Sequence, residues 1–365
     1  MFPQSELIIE TSKLVHNWKL FCHFQPNCQF VPVLKSDAYG HGLPQTALAL
    51  EKAGADLLAV FNLAEAEVLR QTGVNAGIWM LEGVLPCDLP AAARMQIIGA
   101  CWSFEQAEAL ARYAKREKCR FKIHLKIDTG MSRLGFLPKQ IPEVLNFLQS
   151  APELELTGCF SHLAISADAQ HPLTLQQLQN FRQAVSMLPD SCRERHLCAT
   201  NGIINQLAPE LPFARLGIGL YGYSEVPEFR SRLQPAMTFR SRILDVKELP
   251  AGSLVSYSGL YQLPQDGRLA VIPVGYADGY PRQLSNKADV LIRGRRLPVR
   301  GRVCMGMIMA DAADMPDLQP GEEVVLLGSQ GDECITAAEL AEKVGTIPHE
   351  ILCNLGKHPN RKICS

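Results

Sequence analysis

Along the first two thirds of the chain, short apolar runs alternate with longer amphipathic stretches. Apolar runs bounded by turn formers read as buried strands, and apolar positions three and four apart read as helices. A strand-like Leu7-Ile8-Ile9 comes first, followed by a helix pattern carrying Leu14, Trp18 and Phe21. Strands are then expected at 30–34, 57–60, 78–81, 95–98, 121–127, 156–160, 196–199 and 213–216. Helical patterns at 45–53, 64–71, 104–118, 141–148 and 175–188 lie between them. Eight such beats in roughly 220 residues are what a (β/α)8 barrel requires, and periodicity alone leaves a doubly wound sheet open.

From about residue 234 the pattern shortens to alternating runs split by Gly, Pro and Asp, at 238–249, 267–274, 289–299, 305–310 and 322–327. Period-two alternation of this kind predicts a mostly-β domain. A helix at 336–344 closes it, with Thr336 as N-cap and Glu339 three residues on. The boundary falls within 226–236, so the expected division is a TIM-type barrel over 10–230 and a mostly-β domain built from 1–9 and 231–365. No internal repeat or low-complexity segment interrupts either part.

At 365 residues and 47% hydrophobic, the chain can bury two sizeable cores. Its 36 basic and 37 acidic side chains nearly cancel, which removes the electrostatic case for nucleic acid or an acidic membrane surface. The N-terminus lacks a basic and then apolar leader pattern, and no stretch reaches the roughly 18 apolar residues of a membrane span, so a cytoplasmic protein is expected. None of the twelve cysteines falls in a C-x-x-C pair and no H-x-x-x-H pair occurs, so no metal ligand set is expected. Small molecules and further copies of the chain are the expected partners.

Chemistry-bearing residues cluster where barrel strands should end. Val31 to Gly42 reads VPVLKSDAYGHG, an apolar run closed by Lys35 with glycines around His41. A lysine there either snorkels to water or is held partly desolvated as a neutral amine able to form a Schiff base with an aldehyde. The two glycines allow close backbone approach to a ligand, and Tyr39 can offer its hydroxyl to an anion. Lys126 ends another apolar strand, and IDTGMSRLGF follows it with Arg133 between glycines. Arg133 reads either as a surface ion pair or as a planar fork aimed at a carboxylate. Arg215 precedes LGIGLYG, whose backbone amides can cradle a phosphate, while Ser161-His162 is by itself weak evidence. In the second domain, VSYSG and PVGYADGYP set tyrosines in glycine-rich loops.

Taken together, these motifs and Gly301-Arg-Val-Cys-Met305 resemble the alanine racemase family over nearly the whole length. The resemblance implies pyridoxal 5′-phosphate (PLP) as cofactor and an α/β fold of barrel plus C-terminal β domain. It implies that Lys35 carries the cofactor and is one catalytic base, with Tyr257 reaching in from the partner subunit of a homodimer as the other. It places Tyr39, His162, Asn201, Gly202, Arg215, Gly217 and Ile218 around the cofactor. Arg133, Met305 and Tyr276 fall on the substrate side, and Lys126 takes the place of a carbamylated lysine. The product it implies is a D-amino acid of the kind used in peptidoglycan precursors.

Three positions depart from the family pattern. Gly202 stands where a phosphate-binding serine is usual, Gly306 where an aspartate is usual, and Lys357 roughly where a tyrosine is usual. The last two bound the substrate pocket, which leaves serine, lysine, arginine or broad specificity as alternatives to alanine. A fold-related PLP decarboxylase would carry a Cys-Asp pair where this chain has Cys304-Met305. A non-catalytic PLP-handling barrel would lack the second domain and Tyr257.

Overall fold

In a computed structural model, which describes residues 5–364, the chain divides into two compact units. The first spans Lys13–Ala38 and Leu43–Gln234. Its eight parallel strands are Gln29–Pro32, Leu57–Val60, Gly77–Met80, Ile98–Cys101, Phe121–Lys126, Leu154–Phe160, Glu194–His196 and Phe213–Leu216. From the second strand onward each pairs with the next, and the first pairs with the last through Val31 and Arg215. A parallel bridge between Val33 and Ala59, with Leu34 N–H donating to the Ala59 carbonyl at 2.7 Å, closes the ring. This is a (β/α)8 barrel and not an open doubly wound sheet. Short strands of Val, Ile, Leu and Ala buried on both faces are what a parallel sheet under helices needs.

Two strands sit away from where periodicity puts them. The expected run at 95–98 is displaced to Ile98–Cys101 because Leu89–Arg94 is helical and capped by Met95, with Gln96 turning at φ 53°. The run at 196–199 ends at His196, since Ala199 already caps a short helix, Thr200–Ile204. The outer helices keep to their patterns. Phe104–Glu117 starts where Ser103 accepts the Gln106 N–H at 3.2 Å, and stops at Lys118 in the left-handed region.

The second unit joins the N-terminal strand, Tyr39–Gly42 and the chain from Pro235 onward. Residues 1–4 of the segment expected here, and residue 365, lie outside the described residues. Tyr39–Gly42 belongs to this unit although it lies inside the expected barrel segment 10–230. The unit is built on a ten-stranded sheet in which Ser5–Glu10 pairs antiparallel with Met237–Arg242 and parallel with Arg361–Cys364. Two helices follow its long strand Glu323–Gln330: Ala337–Val344, capped by Thr336, and Pro348–Leu355. The Glu339 carboxylate does not return to the cap; it pairs with Arg296 at 2.7 Å.

Gly40 and Gly356 meet back to back inside this unit. A Cβ on Gly356 would lie 2.1 Å from Gly40 Cα, and one on Gly40 would lie 2.6 Å from the Leu352 carbonyl oxygen. At Gly40 a close backbone approach is made to the Pro348–Leu355 helix and its end.

Candidate active site

Lys35 leaves the first barrel strand at its C-terminal end, where barrel chemistry is built. The four residues after it, Ser36 to Tyr39, all have φ between 53° and 56°, a left-handed turn made without glycine. Such backbone costs about 1 kcal/mol or more per residue, so its neighbours must hold it. Glu65 does so with both oxygens, accepting the Ser36 N–H at 2.6 Å and the Phe61 N–H at 2.7 Å. Asp37 accepts the Leu43 N–H at 2.7 Å, and the buried Tyr221 hydroxyl donates to the Val33 carbonyl at 2.8 Å. Lys35 is thereby left half-buried on a rigid turn. Glu65 was not singled out from sequence: three residues after Asn62, it reads as an ordinary helix-start acid.

Cations crowd the same end of the barrel. Lys126 is buried, with its ammonium 5.4 Å from the Phe160 ring centre. Burial, then the charges of Arg133 and Arg215, push its pKa down to about 8. The acid beside it, Asp128, spends Oδ1 on the N–H groups of Gly130, Met131 and Ser132, shaping the loop that presents Arg133. Arg133 itself is exposed. Arg215, buried at the end of the last strand, donates through Nη2 to the Ser161 carbonyl at 2.6 Å and the Leu197 carbonyl at 2.9 Å. Its Nη2 also lies 3.1 Å from His162 Nδ1. Burial and then Arg215 lower the His162 pKa to about 3, so its ring is a neutral acceptor.

Two tight turns follow the last two strands. Thr200–Ile204 and Ile218–Tyr221 both begin with amides that lie in a first turn, those of Gly202 and Ile218. Thr200 ties the turns together by accepting the Gly219 N–H at 3.0 Å. Gly217, at φ −97° and ψ −111°, starts the second turn. Asn201 faces the next loop, where Oδ1 accepts from the Ser224 hydroxyl at 3.2 Å and the Glu225 N–H at 3.3 Å. At Gly202 a Cβ would sit 3.2 Å from Cys198 Sγ, so the sulfur crowds the space a serine would need.

The second unit gathers the remaining candidates by packing three glycine-bearing loops together. Gly275 backs onto Cys304 and Met305, with Tyr276 N–H donating to the Cys304 carbonyl at 3.1 Å and Ala277 N–H to the Met305 carbonyl at 2.9 Å. Gly301 abuts Val255 and Ser256, and Ser256 Oγ donates to the Arg302 carbonyl at 2.9 Å. Tyr257 and Met305 are 70% and 62% exposed in the single chain. Tyr276 lines a cavity of about 470 Å³ with Tyr280, Glu350, Asn354 and Lys357, whose ammonium donates to Asn354 Oδ1 at 3.2 Å. Nothing lies within 4 Å of a Cβ built on Gly306. Tyr39 is buried against the His349 ring, 5.6 Å between centres. No cluster of three metal-ligating side chains occurs among the described residues.

The family profile of the alanine racemase N-terminal domain matches residues 9–225, and that of the C-terminal domain matches residues 236–363. The chain is 38% identical to an alanine racemase of Syntrophobacter fumaroxidans over 357 residues, 96% of this chain and 95% of that protein. It is 39% identical to an alanine racemase of Citrifermentans bemidjiense, covering 97% of each. A crystal structure of alanine racemase from Bartonella henselae with covalently bound pyridoxal phosphate superposes with a TM-score of 0.92 at 28% identity, covering 99% of this chain and 100% of that one. The chain belongs to the alanine racemase family, and it is an isomerase of the amino-acid racemase class.

Proposed function

We propose that the protein is a PLP-dependent racemase that interconverts L- and D-alanine. The observation that carries this reading is Lys35 on its clamped left-handed turn, facing a barrel end rich in positive charge and short of acids. That donor set fits a phosphorylated aldehyde: one amine for the carbonyl carbon, and first-turn amides at Gly202 and Ile218 with the Tyr39 hydroxyl for the phosphate. Asn201 and Gly217 shape the loops that present those amides. When bound, PLP supplies an electron sink for the charge left on the substrate Cα after its proton departs.

This chain's residues supply the rest. Lys35 takes or returns the α-proton on one face, and Tyr257 of the partner subunit does so on the other, as inversion demands. Arg215, braced by neutral His162, would face the pyridine nitrogen of the bound cofactor. A permanent cation there opposes protonation of that nitrogen, which limits side reactions from a long-lived carbanion. Arg133 and the Met305 amide hold the substrate carboxylate, and Tyr276 lines the entry. The neutral fraction of Lys126 adds CO2 with loss of a proton, and the resulting carbamate anion orients Arg133. The free state of the cysteines agrees with a reducing cytoplasm, and among the described residues no helix is long and apolar enough to cross a membrane. In this reading the active form is a homodimer, the barrel unit binding PLP and the β unit lending the second base, and its D-alanine enters peptidoglycan precursors.

The test is conversion of a panel of L-amino acids (alanine, serine, lysine, arginine) to their D-forms by PLP-loaded protein. Alanine leading in both directions is the expected result. Another amino acid leading would assign specificity to open Gly306 and to Lys357, and no racemisation at all would overturn the reading.

A further inference from the structure

The barrel interior holds a second polar assembly that runs away from the candidate site. His124 and His196 are fully buried on the fifth and seventh strands. His124 Nδ1 lies 3.1 Å from His196 Nε2, and Arg215 Nη1 lies 3.5 Å from His196 Nδ1 while donating to the His196 carbonyl at 3.2 Å. At the other end, His124 Nε2 is 2.7 Å from Oε2 of Glu194, whose side chain is 28% exposed; the two buried atoms are in ion-pair contact without hydrogen-bond alignment, and neither has a hydrogen-bond partner elsewhere. Glu194 begins its strand and Arg215 sits near the end of the next, so the assembly runs lengthwise through the barrel.

The sheet makes room for it. A Cβ on Gly158 would lie 2.8 Å from His124 Nε2, and the register slips between Ile123 and His124. The Trp79 ring packs against both imidazoles, at 5.2 and 4.6 Å between centres. A bulge, a glycine and a tryptophan spent on two histidines in a barrel core mark a built feature.

Donor counting fixes the proton positions. A guanidinium only donates, so His196 Nδ1 must be the bare nitrogen and Nε2 carries the proton. His124 Nδ1 must then accept, which places its proton on Nε2, facing the carboxylate. Arg215 and His196 both donate in the direction of Glu194, and the His124 Nε2 proton lies beside its carboxylate.

We propose that Glu194, His124 and His196 form a positioning relay that holds Arg215, fixing both histidines as Nε2–H tautomers and lending the buried guanidinium a remote counter-charge. All three are positioning residues, since none touches substrate. The effect on catalysis rests on Arg215 facing the cofactor as proposed above; the proton pattern does not.

The test uses the full-length, PLP-loaded protein with 15N-labelled histidine, whose two-bond proton–nitrogen spectra distinguish the two tautomers and the imidazolium. His124 and His196 are expected as neutral Nε2–H rings. In Glu194→Leu both ring patterns should change, the absorption band of bound PLP should shift, and kcat should fall at least several-fold with less change in KM. Glu194→Gln keeps an acceptor and should restore the ring pattern and most of kcat; it also serves alone if the leucine variant does not fold. An Nδ1–H or imidazolium form of His196 in the unaltered protein overturns the relay, as does an unchanged ring pattern in Glu194→Leu or a changed one in Glu194→Gln. Correct tautomers without any racemisation would sink the functional reading and leave the relay standing.

Discussion

His162 and Lys126 owe their lowered pKa values first to burial and then to the same crowd of cations, and each makes a prediction. His162 stays neutral down to about pH 3 in the fold, whereas an unfolded chain protonates it near 6.5. Over that window the unfolded state binds more protons, so stability falls as pH falls, by about 1.4 kcal/mol per unit for one histidine. His196 is shifted the same way by burial and then Arg215. Between pH 6.5 and 5, His162→Gln should show a smaller drop in Tm than the unaltered protein, read by calorimetry. For Lys126, a pKa of about 8 leaves roughly a tenth of the amine neutral at pH 7, enough to combine with CO2. Stripping CO2 should lower racemase activity several-fold and bicarbonate should restore it, while Lys126→Ala should respond to neither. Gly202 makes a third prediction: Gly202→Ser should destabilise the protein, and adding Cys198→Ala should recover much of the loss by freeing the space the sulfur takes.

The left-handed turn Ser36–Tyr39 belongs to the scale of elements, because Glu65 on a different βα unit stabilises it. Glu65→Ala removes the acceptor of two backbone N–H groups and should cost about 1–3 kcal/mol. It should also weaken PLP binding, measured by titrating apoprotein, because Lys35 loses its rigid base. The elements themselves were largely legible. Strands 57–60 and 213–216 were readable to the residue, since apolar runs between turn formers carry their own boundaries. Strand 95–98 was not, because Met95 and Gln96 turn the chain at a helix end and only then does it enter the sheet. Helix 348–355 and the final strand were missed, as short segments decided by packing carry little periodicity.

Over the whole molecule, the question is how many chains make one site. Tyr257 and Met305 are largely exposed in the single chain, and the homodimer proposed above would cover them. Lys35→Ala and Tyr257→Phe should each be nearly inactive as homodimers. After mixing and subunit exchange, half the dimers are mixed and each has one intact site, so about a quarter of full activity should return. Lack of recovery, with exchange verified by mass, would place both bases on one chain.

The alternation of apolar runs and amphipathic stretches was enough to set a series of βα units followed by a β unit, because burial periodicity is local; that the series closes as a barrel was decided by the pairing of its first strand with its last and the Val33–Ala59 bridge. The motifs around Lys35, Arg133, Arg215 and Tyr257 likewise named the candidate chemistry, since each is contiguous in the chain. Tertiary structure alone brought Glu65 to the Lys35 turn and set Gly40 against Gly356. It also threaded Glu194, His124 and His196 through the barrel to Arg215. Those contacts join residues 19 to 316 positions apart, and no spacing rule reaches across such distances. The histidine and arginine contacts exist because closing a sheet into a barrel forces alternate side chains of different strands into one shared interior, whereas those of Glu65 and Gly40 come from the packing of turns and helices.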